Sequence, residues 1–372
     1  MQRRISLPEY PCREDLWDKL QKETRPIVVY GMGNGADKLL TRLDAYGVEI
    51  SDIFASDGFV RGHSFHGIRV KSFSEIKAAY SDFVILLSFA SSREEVIALF
   101  EELDGAYELY IPDMPVVGEE YFDRTFYNEN YERIVKAYEA LSDGESRDVF
   151  ASVLRYKLSG RLSDLFSAVT DKDEMYRLFD LSKIRFALDA GAYNGDTVRE
   201  SIRYFENLER IVAVEPDPKT FRRLLKTAEG ITDVTVLPVN AAVHSIMGNA
   251  SFHMSGNRNS SLIGASHEHR DLTVPLVTVD GLSSGGRVDY IKYDVEGAEY
   301  EALLGSDGTI KRSSPALLIS AYHKSRDIFD LVLHMKESYP QYDLYYRRLR
   351  CVPAWDLNLL AVPRRETKNV EG

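Results

Sequence analysis

Strand-length hydrophobic runs alternate with amphipathic stretches in the first part of the chain. Apolar runs predict strands at 26–30, 49–55, 81–87 and 107–111, and apolar positions at helical spacing predict helices at 36–46 and 92–103. Strands and helices in alternation are typical of a Rossmann-like unit, whose sheet is covered by helices. The pattern therefore predicts a small α/β domain at residues 24–118.

The hydrophobic pattern becomes helical between residues 119 and 182. Apolar positions three and four residues apart, with charged positions between them, predict helices at 128–141, 145–158 and 173–181. An amphipathic helix needs a partner for its apolar face. We therefore predict that residues 119–182 form a helical connector that packs on the domain after it.

Strand and helix patterns alternate again from residue 183 to residue 365. The pattern predicts strands at 186–188, 210–215, 234–238, 288–293, 316–321, 342–347 and 357–362, and helices at 198–205, 298–304 and 327–339. Two β-like segments, 249–253 and 272–279, flank a Ser/Gly/Asn-rich loop at 255–264. The last two strands are predicted to form an antiparallel hairpin on an otherwise parallel sheet. The predicted fold class is α/β with two Rossmann-like domains.

The segment FALDAGAYNGDTV at 186–198 combines a strand, an acid, a glycine turn and a helix start. Asp189 ends the strand, Gly191 and Gly195 lie in the turn, and Asp196 and Thr197 are candidate N-caps of the helix. The form D-x-G-x-x-x-G differs from the dinucleotide motif G-x-G-x-x-G, because a carboxylate precedes the first glycine. That arrangement suits a ligand with an ammonium group, such as S-adenosylmethionine.

A second acid lies at the end of the next predicted strand. Glu215 follows the apolar run 210–214, at the position where α/β folds bind the hydroxyls of a ribose. Alternatively, Asp189 or Asp196 is only a helix cap, and Glu215 only a solvated strand end. Their order and spacing favour a nucleotide-type cofactor site.

Composition and charge narrow the classes of partner. The net charge of −12 argues against non-specific binding to nucleic acid, and the basic segment YYRRLR at 345–350 is interpreted as a solvated strand face. Cys12 and Cys351 are far apart in sequence, which argues against a disulfide framework or a cysteine-based zinc site. No apolar run reaches membrane-spanning length, and the first residues lack the apolar core of a signal peptide. We expect a cytoplasmic protein without nucleic-acid or membrane partners.

Residues 125–362 resemble the FkbM family of S-adenosylmethionine-dependent methyltransferases. The resemblance rests on ALDAGAYNGDTV (187–198), VAVEPDP (212–218), the Ser260-Ser261-Leu262 element, TVDGL (278–282) and VDYIKYDVEGAEYEALLG (288–305). The last segment carries the core K-x-D-x-E-G-x-E, formed by Lys292, Asp294, Glu296, Gly297 and Glu299. One departure is that residues 349–351 lack the histidine expected soon after YYRR, so any role of that loop stays open.

The resemblance implies a class I methyltransferase sheet and S-adenosylmethionine as cofactor. The methionine portion is expected at the glycine turn, the ribose at Glu215, and the adenine beside the residues after the third strand. The implied cofactor-binding residues are Asp189, Ala190, Gly191, Gly195, Asp196, Thr197, Glu215, Asn240, Ala241 and Asp294.

Candidate catalytic residues follow the fourth and fifth strands of this domain. Asp294 is expected to orient the methyl donor and the acceptor, and Lys292 and Glu296 share its face if the backbone is extended. A Lys292–Glu296 ion pair of purely structural value is the alternative. His323 is the candidate base, since its ordinary pKa lies near neutrality, although it could be a hydrogen-bonded loop histidine. The implied reaction is methyl transfer to a hydroxyl of a small-molecule or glycan substrate.

The same segment is also a candidate site for a metal ion. Asp294, Glu296 and Glu299 could offer oxygen ligands to magnesium, but three carboxylates within one turn are also typical of an exposed helix start. The sequence therefore gives no assigned metal.

The first domain resembles the nucleotide-sugar-binding domain that precedes bacterial sugar acetyltransferases of the PglD type. The matching segments are VVYGMGNGADKLL (28–40), the strand toward 54–57, and HGIRVKSFSEI (66–76). The turn Gly31-x-Gly33-x-Gly35 could bind a nucleotide sugar, or could serve only structure or dimer formation. The alternative function is an NAD- or nucleotide-sugar-dependent enzyme, or a sugar-nucleotide-binding module whose methyltransferase domain is degenerate. A homo-oligomer is compatible with the methyltransferase function and with this alternative.

Overall fold

The structure is a computed structural model that describes residues 11–12, 14–56, 58, 60, 62–253 and 271–364. The predicted loop at 255–264 and the Ser260-Ser261-Leu262 element lie outside the described residues. None of the described helices is long and apolar enough to cross a membrane.

A six-stranded sheet forms the first part of the chain. Its strands are β1 (Ile27–Tyr30), β2 (Asp52–Ala55), β3 (Ser64–Phe65), β4 (Ile68–Ser72), β5 (Val84–Leu87) and β6 (Glu108–Tyr110), in the spatial order β3-β4-β2-β1-β5-β6. All neighbours are parallel except β3 and β4. The helices are α1 (Leu16–Leu20), α2 (Asn34–Ala45), α3 (Phe73–Ala79) and α4 (Glu94–Ala106). The four predicted strands and two predicted helices are confirmed.

The β3–β4 hairpin and helix α3 were not predicted. Strand β3 has only two residues, too few for a hydrophobic period. Helix α3 did carry a sequence signal, because Ser72 and Glu75 form a capping box at its start.

Five helices make up the segment after this sheet: α5 (Arg124–Glu129), α6 (Tyr131–Ala140), α7 (Gly144–Ser159), α8 (Leu162–Leu165) and α9 (Lys172–Tyr176), with a 3₁₀ turn at Leu181–Lys183. The helix predicted at 128–141 is interrupted at Asn130, whose ψ of 6° lies outside the helical range and whose side chain donates to the carbonyl of Phe126. Further on, the backbone of Leu344 and Tyr346 bonds to Ser142 and Ser146. The connector therefore packs on the sheet that follows, as predicted.

A seven-stranded sheet forms the rest of the chain. Its strands are β7 (Phe186–Ala190), β8 (Arg210–Val214), β9 (Thr235–Val239), β13 (Tyr290–Tyr293), β14 (Ala316–Ser320), β15 (Tyr342–Arg348) and β16 (Leu357–Pro363), in the spatial order β15-β16-β14-β13-β7-β8-β9. Strands β14 to β9 in this order are parallel, and β16 is antiparallel to both of its neighbours. The predicted terminal hairpin and the α/β fold class are confirmed.

Smaller elements complete this part. A second, three-stranded sheet contains β10 (Ala242–Val243), β11 (Gly248–His253) and β12 (Asp271–Val277), and the helices are α10 (Asp196–Tyr204), α11 (Pro218–Glu229), α12 (Val279–Ser283), α13 (Glu299–Leu304), α14 (Asp307–Ser313) and α15 (Asp327–Ser338).

The two large sheets share a hydrophobic core. One continuous cluster of buried apolar side chains includes Leu87 near the end of β5, Phe150 in α7 and Leu359 in β16. The loops that follow β5 and β15 also pair, because Ser91 and Val352 exchange two backbone hydrogen bonds of 2.7 and 2.9 Å. The contact brings the first sheet to the rim of the cleft described next. The domain boundaries at 118 and 182 stay predictions.

Candidate functional site

The strand order of the seven-stranded sheet reverses at β7, which lies between β13 and β8. Ligands of open α/β sheets bind at such a switch point, beyond the carboxyl ends of the strands. A cleft of about 600 Å³ lies there, and Glu215, Asp294 and His323 all line it. The ends of β8, β13 and β14 thus bring together side chains that are far apart in sequence.

The glycine turn after β7 touches the end of β13. Gly191 has a φ of +92°, and a Cβ on it would lie 1.8 Å from the carbonyl oxygen of Asp294. Only glycine fits a left-handed conformation with so close a backbone approach. This contact holds the turn and the Asp294 segment at one edge of the cleft.

The predicted N-caps of the next helix are wrong. Helix α10 begins at Asp196, and Gly195, with a φ of +88°, occupies the cap position. The N–H of Asp196 instead donates to the side-chain oxygen of Asn194 at 3.1 Å, and the hydroxyl of Thr197 donates to Asp189. Asp196 therefore lies inside the first turn, where the helix dipole favours a carboxylate.

Lys292 lies between two of the predicted site acids. Its ammonium is 3.4 Å from Asp189 Oδ1 and 3.3 Å from Asp294 Oδ2, and its side chain is only 11% exposed. Burial alone would lower the pKa of Lys292, but Asp294 and Asp189 raise it above its ordinary value. Burial also raises the pKa of Asp189, against the effect of Lys292, whereas Lys292 and His323 hold the pKa of Asp294 at about 2 despite burial.

Glu215 is buried rather than a solvated strand end. Its two carboxylate oxygens accept the N–H groups of Tyr193 and Asp217 at 3.0 and 2.9 Å. Burial raises the pKa of Glu215 to about 7, although those two N–H donors oppose the rise. Each oxygen has a further lone pair that can accept from a ligand hydroxyl.

Asn240 supports the Glu215 turn from behind. Its amide donates to the carbonyls of Glu215 and Pro216 at 2.8 and 3.0 Å. Of the predicted cofactor residues, six line the cleft: Gly191, Asp196, Thr197, Glu215, Ala241 and Asp294. The remaining four, Asp189, Ala190, Gly195 and Asn240, lie behind that lining.

Glu296 does not share a face with Lys292 and Asp294. Strand β13 ends at Tyr293, and Glu296 has a φ of +52°, so the backbone is not extended there. The expected Lys292–Glu296 pair does not form, because the Glu296 carboxylate turns toward His323 and lies 3.5 Å from its Nε2. Burial raises the pKa of Glu296 to about 8, although His323 opposes the rise.

His323 is fully buried and faces three carboxylates. Its Nδ1 lies 2.9 Å from Glu299, and its Nε2 lies 3.6 Å from Asp294 Oδ1. Burial alone would lower the pKa of His323, but Glu299, Glu296 and Asp294 raise it to about 10. The side chain is therefore neither an exposed loop histidine nor one with an ordinary pKa.

Glu299 is not part of an exposed helix start. It is fully buried at the beginning of α13, and one of its oxygens accepts the N–H groups of Val295 and Gly297 at 2.9 and 3.4 Å. Glu299 thereby shapes the turn that carries Asp294 and Glu296 into the cleft.

Several residues of the cleft were missed by sequence reasoning. Tyr322 donates its hydroxyl to Asp294 Oδ1 at 3.2 Å, and its ring stacks on Trp355 with centroids 6.4 Å apart. The loop after β5 contributes Ser91 and Arg93. Of these residues, only Trp355 carried a signal in the sequence, because it lies in the short loop between the last two predicted strands.

The loop that carries Trp355 is held by a buried arginine. Arg348 is fully buried and donates to backbone carbonyls, among them that of Cys351 at 3.1 Å. Arg347 is also buried, against Asp143. The prediction of a solvated basic face at 345–350 is therefore wrong.

Packing explains two glycines of the N-terminal turn. A Cβ on Gly31 would lie 2.6 Å from the Phe89 ring, and one on Gly35 would lie 2.1 Å from the carbonyl oxygen of Ser88. A cavity of about 200 Å³ lies beside the turn. The nucleotide-sugar site at Gly31–Gly35 stays a prediction.

Comparison with known proteins agrees with this arrangement. Residues 189–343 match the family model of the methyltransferase FkbM domain, and no curated protein matches the chain. The crystal structure of methyltransferase FkbM from Methylobacillus flagellatus KT superposes with a TM-score of 0.69 at 17% identity and covers 95% of both chains. At that identity the match shows a shared fold over nearly the whole length.

Other solved structures overlap less. An rRNA methylase from Streptococcus thermophilus has a TM-score of 0.33 at 10% identity, covering 52% of this chain and 93% of its own. Aeropyrum pernix fibrillarin, solved with bound S-adenosyl-L-methionine, has a TM-score of 0.31 at 12% identity and covers 49% of this chain and 68% of its own. Matches at this level say nothing about the site. The family match shows that residues 189–343 form a methyltransferase FkbM domain, the domain of an S-adenosylmethionine-dependent methyltransferase.

Proposed function

We propose that the cleft binds S-adenosylmethionine across the ends of β7 and β8 and transfers its methyl group to a hydroxyl of a small-molecule or glycan acceptor. One observation carries the proposal. The Asp189 turn, Glu215 and Asp294 lie at neighbouring strand ends around a single cleft. An ammonium, a ribose and a sulfonium each have a carboxylate partner there.

The methionine portion lies at the glycine turn in this proposal. Asp189 Oδ1 lies behind the cleft lining, 3.4 Å from the Lys292 ammonium, and makes no hydrogen bond to a described residue, so it reaches the ligand ammonium through a bridging water. The methionine carboxylate lies toward the start of α10, whose first N–H groups favour an anion. Glu215 accepts the ribose hydroxyls with its remaining lone pairs.

The acceptor hydroxyl lies beside Asp294. The Asp294 side chain is 31% exposed to the cleft, whereas His323 is fully buried behind it, so the hydroxyl meets the carboxylate first. During transfer the methyl–sulfur bond breaks, a methyl–oxygen bond forms, the sulfur regains a lone pair, and the hydroxyl proton passes to water in the cleft while Asp294 holds the hydroxyl in place. Holding donor and acceptor in line is the main contribution of such a site.

Glu215→Gln is expected to weaken binding of S-adenosylhomocysteine by about 10- to 150-fold. The variant loses charge-assisted hydrogen bonds to the ribose, each worth roughly 1.5–3 kcal/mol. The wild-type affinity should rise with pH up to about 7 and level off above it, because the pKa of Glu215 is raised to about 7 and only the carboxylate accepts both hydroxyls. The dissociation constant is measured by calorimetry across pH.

Glu229→Gln, at an exposed position of α11, is the matched control and should bind like wild type. An unchanged dissociation constant in Glu215→Gln would remove the ribose from this acid.

Asp294→Asn is expected to reduce methyl transfer by roughly 10- to 150-fold while S-adenosylhomocysteine still binds. The amide keeps the shape of the side chain but loses the charge that holds the hydroxyl, a bond of about 1.5–3 kcal/mol. Transfer is followed by NMR with ¹³C-methyl S-adenosylmethionine over a panel of methyl glycosides and small hydroxylated compounds.

Tyr322→Phe is the companion variant, because it removes only the hydroxyl that donates to Asp294. A smaller loss is expected there. The proposal would be contradicted by a product whose new methyl is bonded to nitrogen, carbon or sulfur and which the Asp294→Asn variant forms at the wild-type rate.

A further inference from the structure

The wall of the cleft contains two glutamates, next to Asp294, that the binding of S-adenosylmethionine does not use. Glu296 and Glu299 lie on either side of His323, and Asp294 lies next to its Nε2. Three carboxylates thus lie within 3.6 Å of one imidazole ring. Lys292 makes its ion pairs with Asp294 and Asp189, and neither of the two glutamates is a partner of it in the described part of the chain.

Four polar atoms of this cluster are buried without a hydrogen-bond partner among the described residues. They are both ring nitrogens of His323, Oε2 of Glu296 and Oε2 of Glu299. Glu299 approaches Nδ1 at 2.9 Å but outside hydrogen-bond geometry. Buried polar atoms in proteins are nearly always bonded, and a group of exceptions at one point indicates an absent water or ion. The imidazole of His323 is fully buried, and its Nε2 faces the carboxylates of Asp294 and Glu296.

We infer that Asp294, Glu296 and His323 bind a divalent metal ion at the acceptor end of the cleft. All three residues line the cleft, whereas Glu299 does not. His323 Nε2 lies 3.6 Å from Asp294 Oδ1 and 3.5 Å from Glu296 Oε2. Neighbouring ligand atoms on one octahedral ion are about 3 Å apart, so each of these two separations is close to that of two ligands on a shared ion.

Glu299 completes the arrangement from behind. A metal-bound histidine usually donates its other ring N–H to a carboxylate, which fixes the ring orientation. Glu299 lies on that side of the ring, next to Nδ1, and its own position is held by the N–H groups of Val295 and Gly297. One ligand atom each from Asp294, Glu299 and His323 lies within 4.8 Å of the others, so Glu299 lies close to the ring and to the ligand Asp294.

The ligand set selects the class of metal. One imidazole with two carboxylates suits Mn²⁺, Fe²⁺ or Zn²⁺ better than Mg²⁺ or Ca²⁺, which prefer oxygen ligands alone. Because the three ligands come from one side, the remaining coordination positions face the cleft. This inference takes its location from the proposed function: the ion binds the acceptor oxygen and makes its proton easier to remove.

The test uses the full chain after removal of metal with a chelator. Mn²⁺ is titrated and followed by the EPR signal of the free ion, and Tm is measured with Mn²⁺, Zn²⁺ and Mg²⁺. We expect about one Mn²⁺ per chain, a Tm that rises with Mn²⁺ concentration, and a smaller effect of Mg²⁺. Electron spin echo spectra of the bound ion should show coupling to the imidazole nitrogen of His323.

Glu296→Gln should weaken Mn²⁺ binding at least about tenfold. Glu200→Gln is the matched control, because Glu200 lines the same cleft with a side chain 26% exposed against 27% for Glu296, but pairs with Lys172. It should bind Mn²⁺ like wild type. A substitution of His323 is avoided, because a change at a fully buried position can prevent folding.

S-adenosylhomocysteine binding is measured on the same samples with and without chelator. Binding of S-adenosylhomocysteine without any uptake of Mn²⁺ or Zn²⁺ overturns the metal site and leaves the proposed function standing. Equal Mn²⁺ affinity in wild type and Glu296→Gln, or a spectrum without nitrogen coupling, places the ion elsewhere and also overturns it. Failure of the wild type to bind S-adenosylhomocysteine counts against the proposed function alone.

Discussion

Lys292→Met is expected to lower the free energy of unfolding by about 3–5 kcal/mol, the usual cost of removing one partner from a buried ion pair. The ammonium lies 3.4 Å from Asp189 and 3.3 Å from Asp294, and methionine fills the space without replacing the charge. Two carboxylates then face each other at the switch point with no lysine between them. Chemical denaturation at neutral pH measures the change.

Lys311→Met provides the comparison on the surface. Lys311 pairs with Asp307 one helical turn away, but both side chains are largely exposed. Exposed pairs of this kind contribute about 0–1 kcal/mol. If the two lysine variants lose equal stability, Lys292 is not the charge that balances the buried acids. Adding Asp189→Asn to Lys292→Met should recover part of the loss, because it removes one of the two unpaired charges.

Gly191→Ala is expected to lower the free energy of unfolding by about 2–5 kcal/mol and to prevent cofactor binding. A residue with a side chain at a φ of +92° costs roughly 1–2 kcal/mol, and a Cβ that lies 1.8 Å from the Asp294 carbonyl oxygen adds overpacking of about 1–3 kcal/mol. The clash is with backbone, so no side-chain rotation relieves it. Denaturation and S-adenosylhomocysteine calorimetry report the two effects.

Gly47→Ala separates the two causes. Gly47 has a φ of +66°, and a Cβ on it would meet no atom within 4 Å. The free energy of unfolding of Gly47→Ala should therefore fall only by the roughly 1–2 kcal/mol that the left-handed conformation costs. A Gly191→Ala protein as stable as Gly47→Ala would show that the turn moves away from Asp294 without cost, and that the contact does not hold the cleft together.

The fold was predictable because its signals are local. A buried parallel strand reads as an apolar run, and a helix as an apolar stripe, so all of the predicted strands of the large sheets appear in the structure. The terminal hairpin was visible for the same reason. The two-residue strand β3 and the single-turn helix α8 carry too short a pattern to be recognised.

The candidate site was predictable where it follows a strand directly. Asp189, Glu215 and Asp294 each lie at or just beyond the end of a parallel strand, and parallel strands end at one edge. The error at Glu296 arose beyond the strand end. Its left-handed backbone is set by the turn that Glu299 caps, and nothing in the alternation of residues 292 to 296 indicates that turn.

The hydrophobic pattern and the spacing of acids and glycines thus determine the α/β fold, the strand ends and the acids that approach the cofactor, since these depend on neighbours in sequence. Partners across the fold depend on packing. The surroundings of His323, the burial of Arg348 and the contact of Ser91 with Val352 join segments far apart in the chain. Burial raises the pKa of Glu215 and Glu296, and the acids around the buried His323 raise its pKa, so these charge properties arise from the tertiary fold and not from the order of residues.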